Sequence, residues 1–462
     1  MTQSKINKYS NSVFSSSLYF YLCILFVLIP FGQSIPIFSI GGRATNIGMS
    51  TLLIGFILLL VLVSPKQWKI NSSEPVTKWI FLLSGWSLLT VVFSLRLAPA
   101  FTLANSVITW LRWFQFVPIM ILIIWGNGKE SDFNLILRIF KFIGLIISVW
   151  AIYESIYPSE FSEQYFRGAV TFTKPLFREH DLAEIVDPNT GYYIGSANYN
   201  IAGVYSAMAA LMLLPFLLYD RRAGKMNIVT VMVIFILFLG VVSSQSRSAL
   251  VSFFVGIFVI YFKPSSSRFF SIFIAVLFIL LLFSIFLSDT GFGIMIIETI
   301  FKLPEAIPLV LQDQEYSESL GFSINVYGAA KRFLTMREAF IVFLNFPFLG
   351  CGFFGFSYQA PELGTAESFY LQMLAETGII GFGMLVMFLV KLWSYTKTEF
   401  QKDSFSYLYQ IGFRGAFSAA IFANLTGTLF YDQRIWGLFL ILGAIQVKNV
   451  YSKRAGQKNI VL

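Results

Sequence analysis

Apolar runs long enough to cross a bilayer recur along nearly the whole chain, and that recurrence restricts its folding more than any single motif. A transmembrane helix needs about 20 consecutive apolar residues. On that criterion about twelve spans are expected, roughly at 16–38, 47–64, 78–95, 104–126, 133–157, 198–218, 227–243, 248–262, 269–288, 367–393, 407–430 and 435–451. Composition agrees: 56% of the residues are hydrophobic and 12% charged, against about 25% charged in an ordinary soluble domain. A chain so poor in charge lacks the polar surface to be soluble and globular. The fold class expected is therefore an all-α polytopic membrane protein, a single membrane domain over 1–462. No period of 20–50 residues marks a repeat array. Cys23 and Cys351 are the only cysteines and lie far apart, which excludes a disulfide framework and a cysteine metal site. Lys5 and Lys8 precede the first apolar run, Leu18 to Pro30, and no small-x-small cleavage site follows, so this run reads as an uncleaved first helix.

The net charge of +9 suggests orientation before it suggests nucleic acid. With the N-terminus inside, the short inner loops and tails collect Lys5, Lys8, Lys66, Lys69, Lys78, Lys129, Arg221, Arg222, Lys225, Lys263, Arg268, Lys391, Lys397, Lys402, Lys448, Lys453, Arg454 and Lys458. The short outer loops receive only Arg43, Arg96, Arg247 and Arg434. Both termini are then cytoplasmic, the inner lysines face anionic headgroups, and membrane lipids rather than nucleic acid are the partners of the charge. Two outer segments are long, 158–197 and 289–366, and long loops of this kind are usually functional. The second contains an amphipathic pattern over 331–344, with Phe333, Met336, Phe340 and Phe343/Leu344 on one face. This predicts a helix at the membrane surface, broken by Pro347 and the glycines Gly350, Gly352 and Gly355.

The outer loops use arginine where the inner ones use mostly lysine. Guanidinium suits bidentate contact with phosphate or carboxylate, so the set suggests an anionic ligand, although a single arginine can equally snorkel to headgroups or cap a helix. Arg112 and Arg414 fall inside spans, where a charge is functional or paired. Arg247 lies in the tight turn Gln245-Ser246-Arg247-Ser248-Ala249 between two spans. A helix starting at Ser248 would add free N–H groups beside it, and a turn capped by Ser248 is the plainer alternative. Glu367 is expected in the first turn of the tenth span, where it could accept a proton or simply favour the helix dipole.

Several of these segments together resemble the O-antigen polymerase/ligase superfamily. They are Ser246-Arg247-Ser248-Ala249, the run from Arg332 through Met336 and Arg337 to Ala339, Phe346-Pro347-Phe348-Leu349-Gly350-Cys351-Gly352, and Glu367-Ser368 leading through Leu371, Leu374 and Glu376 to Gly378 and Gly381. The resemblance covers about 200–450. It implies a GT-C-like membrane fold in the bacterial plasma (inner) membrane and a glycosyltransferase whose active site faces the periplasm or exterior. That enzyme would move a glycan from an undecaprenyl-diphosphate-linked oligosaccharide donor to an acceptor. Polymerases extend the non-reducing end of another lipid-linked repeat unit, whereas ligases transfer to lipid A core. A chain-length regulator and a flippase are further partners the resemblance implies. Arg247 and Arg332 fall on the family's diphosphate-binding positions, with Arg43, Arg337 and Arg434 as further candidates. Ligases carry a His-Asn pair where this chain has Glu367-Ser368, and the sole histidine, His180, lies in the other long loop, which favours a polymerase.

The expected mechanism is direct, inverting attack by an acceptor hydroxyl, with Glu367 as proton acceptor and arginines neutralising the departing diphosphate. Tyr370, Ser368 and the pair Tyr192-Tyr193 are candidate sugar contacts; the tyrosines read equally as interfacial anchors. No cofactor and no metal are expected, since the loops show no DxD run and arginine can stand in for a divalent cation on a diphosphate. A transporter of lipid-linked oligosaccharide is the rival from another class. It should show discontinuous helices at the membrane midplane.

Overall fold

The computed structural model describes residues 21–25, 34–40, 43–63, 75–94, 100–126, 130–156, 198–222, 227–244, 246–261, 301–309, 324–360, 365–402 and 404–458. The expected loop 158–197 (with Tyr192, Tyr193 and His180), the expected ninth span 269–288 and Arg96 lie outside them.

Among the described residues, the molecule is a helical bundle with one β-hairpin near its start, after a helical stretch at 21–25. β1 (Ser34–Ile40) pairs antiparallel with β2 (Arg43–Gly48), from Ser34↔Gly48 to Ile40↔Arg43. The hairpin corrects the expected first span, whose last residues are strand. A short apolar run followed in sequence by Gly41-Gly42 fits strand as well as helix by period alone. The helices follow: α1 (Met49–Val63), α2 (Pro75–Ser94), α3 (Ala100–Phe114), α4 (Phe116–Trp125), α5 (Glu130–Ile156), α6 (Asn198–Arg222), α7 (Ile228–Ser243) and α8 (Arg247–Tyr261). After the short helix 301–309 come α9 (Ile324–Asn345), α10 (Phe356–Gln359), α11 (Phe369–Ser394), α12 (Phe405–Ala423) and α13 (Gln433–Lys458).

Among the described residues, six helical segments are long and apolar enough to cross a membrane: Pro75–Val92, Ser106–Trp125, Glu130–Tyr153, Asn200–Asp220, Phe369–Lys397 and Arg434–Lys453. α7 and α8 are apolar but shorter. Large apolar side chains are exposed on the bundle's outside, among them Phe81, Leu89 and Val92 of α2, Phe142 and Val149 of α5, and Phe235 of α7. A helix apolar on both its packed and its outward face belongs in lipid, where every backbone group must also be satisfied internally. The expected fourth span is two helices, α3 and α4, meeting at Gln115. Pro118 sits in the first turn of α4, where a missing N–H costs nothing. The expected eleventh span ends early, at Ala423, and Leu429–Tyr431 forms a separate 3-10 turn.

α13 runs through the centre and is buried over most of its length, packed on α4, α12 and α6. α11 packs on α2 and α9, while α12 packs on α6 and α8. α11, α12 and α13 run antiparallel in turn. At one end, Gln410 of α12 and Gln446 of α13 both donate to the Tyr395 carbonyl that follows α11. Lys397, Lys402 and Lys453 gather there, with the Lys453 ammonium 5.3 Å from the Phe400 ring centre. The other end carries Glu367, Asp432 and Arg434, and there the Phe369 N–H donates to the carbonyls of Asn424 and Gly427. Lysine thus collects at one end of these three helices, together with Glu399 and Arg454, and none of the three residues named at the other end is lysine.

Candidate functional site

The site forms where α9, the loop after it and the first half of α11 meet. The amphipathic helix expected over 331–344 exists and is longer. Its buried edge is Val326, Ala330, Thr335, Ala339 and Val342, while Phe333, Phe340 and Leu344 are exposed. Beyond Pro347 the chain turns back through a run of unusual backbone: Gly350 (φ 74°), Gly352 (φ 101°) and Phe354 (φ 64°). This loop docks on α11 at a break in that helix, at Gly378 (φ 64°, ψ −174°). The fit is made by main chain. The N–H of Cys351 donates to Ala375 O (2.9 Å), that of Gly352 to Glu376 O (3.0 Å), and that of Ile379 to Pro347 O (2.9 Å). A Cβ on Gly378 would stand 2.2 Å from Phe348 O, and one on Gly350 would stand 2.2 Å from the Glu376 carbonyl carbon. Both positions therefore need glycine for space as well as for φ.

Glu376 lies beneath this contact with no exposed surface. Its carboxylate accepts from the Phe354 N–H (2.9 Å), from Gln372 Nε2 (3.0 Å) and from the Tyr431 hydroxyl. Tyr431 belongs to the turn before α13 and is held in an aromatic stack. Its ring lies 5.8 Å from Phe353 and 6.4 Å from Trp113, nearly parallel to both, and Trp113 stacks on Trp436 at 4.7 Å. Burial, and then the neighbouring carboxylate, push the Tyr431 phenol well above its ordinary range, so it stays a donor. Cys351, buried in the same loop, is likewise pushed well up, first by burial and then by the Glu376 charge.

On a partly open face of this unit the structure brings together two residues singled out by the sequence. Arg332 Nε stands 3.6 Å from Glu367 Oε2, with the side chains 30% and 38% exposed. An ion pair this open contributes about 0–1 kcal/mol, so an anionic ligand can take over the guanidinium at little cost. Glu367 is not in the helix's first turn as expected. It precedes Ser368, the N-cap of α11, and holds a left-handed backbone (φ 51°). For a residue other than glycine such a conformation costs of order 1–3 kcal/mol and persists where surrounding structure fixes it. Ser368 is buried, and Tyr370 donates to Ile421 O (2.8 Å), which anchors its hydroxyl in the bundle.

The other candidates are placed elsewhere. Arg337 is exposed on α9 and faces Glu338 (3.9 Å). Arg434 is held by Asp432 through two hydrogen bonds, Nε to Oδ1 (2.9 Å) and Nη2 to Oδ2 (2.6 Å), and is 12% exposed. Arg43 opens β2. Arg247 is the first residue of α8, so the helix begins one residue earlier than expected and Ser246, not Ser248, caps it. The Ser246 hydroxyl accepts from the Ala249 N–H (3.2 Å) and donates to Asn200 Oδ1 (2.6 Å). This seats Arg247 at a helix N-terminus.

Residues 231–386, about a third of the chain, match the O-antigen ligase family model. The match over these residues supports a place in the O-antigen polymerase/ligase superfamily. No curated protein matches it. The matched region runs from α7 into α11 and takes in Arg332, Glu367 and Glu376, which build the site, as well as Arg247. Tyr431, which completes the buried network, lies outside it. In the sequence Glu376 stands only as part of a motif, and nothing there marks Tyr431. An acidic residue inside an apolar span was the available signal for the first. The second had none, since its partner is 55 residues away.

Proposed function

We propose that the chain is a glycosyltransferase of the bacterial plasma membrane, of GT-C-like architecture. In this reading it transfers a glycan from an undecaprenyl-diphosphate-linked donor to the non-reducing end of a lipid-linked repeat unit at the outer face. The observation that carries the reading is the Arg332–Glu367 pair: a cation and a carboxylate from separate elements, close together and partly open, at the end of the bundle opposite the lysines. If the lysine end is cytoplasmic, the pair faces outward, where a translocated lipid-linked glycan would be.

In the reaction, the acceptor hydroxyl oxygen bonds to the anomeric carbon as the bond from that carbon to the diphosphate oxygen breaks, inverting the centre. The hydroxyl proton goes to the Glu367 carboxylate. The departing diphosphate gains charge, which Arg332 offsets, with Arg247 as the second cation at the α8 N-terminus. Donor binding would draw Arg332 off Glu367 and leave the carboxylate free to accept the proton. Arg434, already held by Asp432, is a poorer contact than Arg332, and Arg337 is exposed on the far side of α9 from the buried edge.

The polymerase reading is favoured over ligase by Glu367-Ser368 standing where ligases carry His-Asn. The transporter reading is disfavoured by the α11 break. Unwound helices that carry substrate or ions use their freed carbonyls as ligands, whereas here Ala375 O, Glu376 O and Thr377 O accept from Cys351, Gly352 and the Trp86 indole. Complementation of a strain lacking its own polymerase separates the readings. A polymerase restores long glycan chains. Failure there, with attachment of preformed chains restored in a strain lacking its own ligase, would instead identify a ligase.

A further inference from the structure

Glu376 is costly. A carboxylate with no exposed surface inside an apolar bundle gives up its hydration, and that loss must be offset by hydrogen bonds. An apolar side chain of similar size would hold two helices together as well or better. What a carboxylate supplies instead is direction. Its acceptor positions tie α11 to two other segments by hydrogen-bond geometry, the glycine loop through the Phe354 N–H and the turn before α13 through Tyr431, while Gln372, one turn earlier on α11, orients the carboxylate. The same network reaches the proposed reaction centre. Gln372, which donates to Glu376, accepts through Oε1 from the N–H of Ala366 (3.4 Å), the residue immediately before Glu367. The glycine loop is the continuation of α9, which carries Arg332.

We propose that Glu376 and Tyr431 form a positioning pair that, through Gln372 and the glycine loop, sets Glu367 against Arg332. Neither residue touches the reacting atoms in this account. That the pair serves catalysis rests on the transferase reading; that it clamps the loop to α11 does not.

The experiment combines two readouts on the full-length protein in lipid nanodiscs. Amide exchange followed by mass spectrometry reports the clamp. Turnover of a synthetic polyprenyl-diphosphate oligosaccharide reports its use. Tyr431→Phe is the informative variant, because the ring stays in its stack with Phe353 and Trp113 and only the hydroxyl is lost. Gln372→Met removes the second link at similar volume. Each variant is expected to speed exchange over 350–354 about tenfold and to lower kcat about 10- to 100-fold, with the donor KM within about twofold. The double variant is expected to be no slower than the slower single, since residues acting through one carboxylate are not additive. Glu376→Gln, which keeps an acceptor for the Phe354 N–H, should recover part of what Glu376→Ala loses. Wild-type kcat and wild-type exchange in both Tyr431→Phe and Gln372→Met would overturn the proposal, as would losses that multiply in the double variant. A wild-type protein that turns over no donor would sink the transferase reading, and the exchange readout would still decide the clamp.

Discussion

Gly378→Ala is the single-atom perturbation to which the site is most sensitive. The added Cβ would stand 2.2 Å from Phe348 O and 2.7 Å from Gly350 N, both main-chain atoms that cannot rotate away. Restoring ordinary contact near 3.5 Å requires the loop to retreat from α11 by about 1 Å. That retreat breaks or stretches the three main-chain hydrogen bonds from Cys351, Gly352 and Ile379, each worth about 1 kcal/mol net. The backbone at φ 64°, ψ −174° adds about 1–3 kcal/mol for any residue with a Cβ. The sum is of order 4–6 kcal/mol against the docked loop. Because the loop continues α9, Arg332 is displaced with it, and a shift of about 1 Å can cost about 100-fold in rate. The control is Gly383→Ala on the same helix, where an added Cβ meets nothing within 4 Å and alanine is favoured over glycine by about 0.5–1 kcal/mol. Thermal melting in nanodiscs and turnover of lipid-linked donor should fall sharply for Gly378→Ala and hold or improve for Gly383→Ala. If Gly378→Ala melts and turns over like wild type, the docking of the loop is not what assembles the site.

Three further outcomes follow from individual contacts. Ser246→Ala removes the α8 cap and the hydrogen bond to Asn200; it should destabilise by about 1–2 kcal/mol, read as a lower melting temperature, and reduce activity by loosening Arg247. Cys351 is buried and its thiol is pushed well up; since the reactive thiolate appears only as pH rises through that raised value, maleimide should fail to label it in the folded protein at pH 8 and label it once denatured. Arg337→Ala should keep near-normal turnover while Arg332→Ala does not, because Arg337 is exposed beside Glu338 and Arg332 faces Glu367; equal losses in the two would remove the distinction drawn between them.

The sequence revealed features set by local chemistry. The amphipathic helix at 331–344, the proline and glycine break after it, and the membrane character of the bundle all follow from period, punctuation and hydropathy. Arg332 and Glu367 stand apart in the sequence, and the fold unites them across 34 intervening positions because the glycine loop folds α9 back along α11. Where the reading failed, tertiary context decided. The hairpin at 34–48 replaces the end of a span because apolar runs of that length fit strand or helix alike. Glu367 sits outside the helix since Ser368 takes the cap, and two serines two residues apart competed for the α8 cap with nothing in the order of residues to choose between them. Glu376 and Tyr431 were hidden for a different reason: a buried hydrogen bond between side chains 55 residues apart leaves no periodic mark on either.

The most direct test is release of polyprenyl diphosphate from a synthetic lipid-linked oligosaccharide by the purified protein, comparing wild type with Arg332→Ala and Glu367→Gln. The account predicts turnover by wild type and a loss in kcat/KM of about 100- to 1,000-fold in each variant, the scale of removing one group that stabilises developing charge. Wild-type kcat/KM in both variants, with the protein folded, would contradict it.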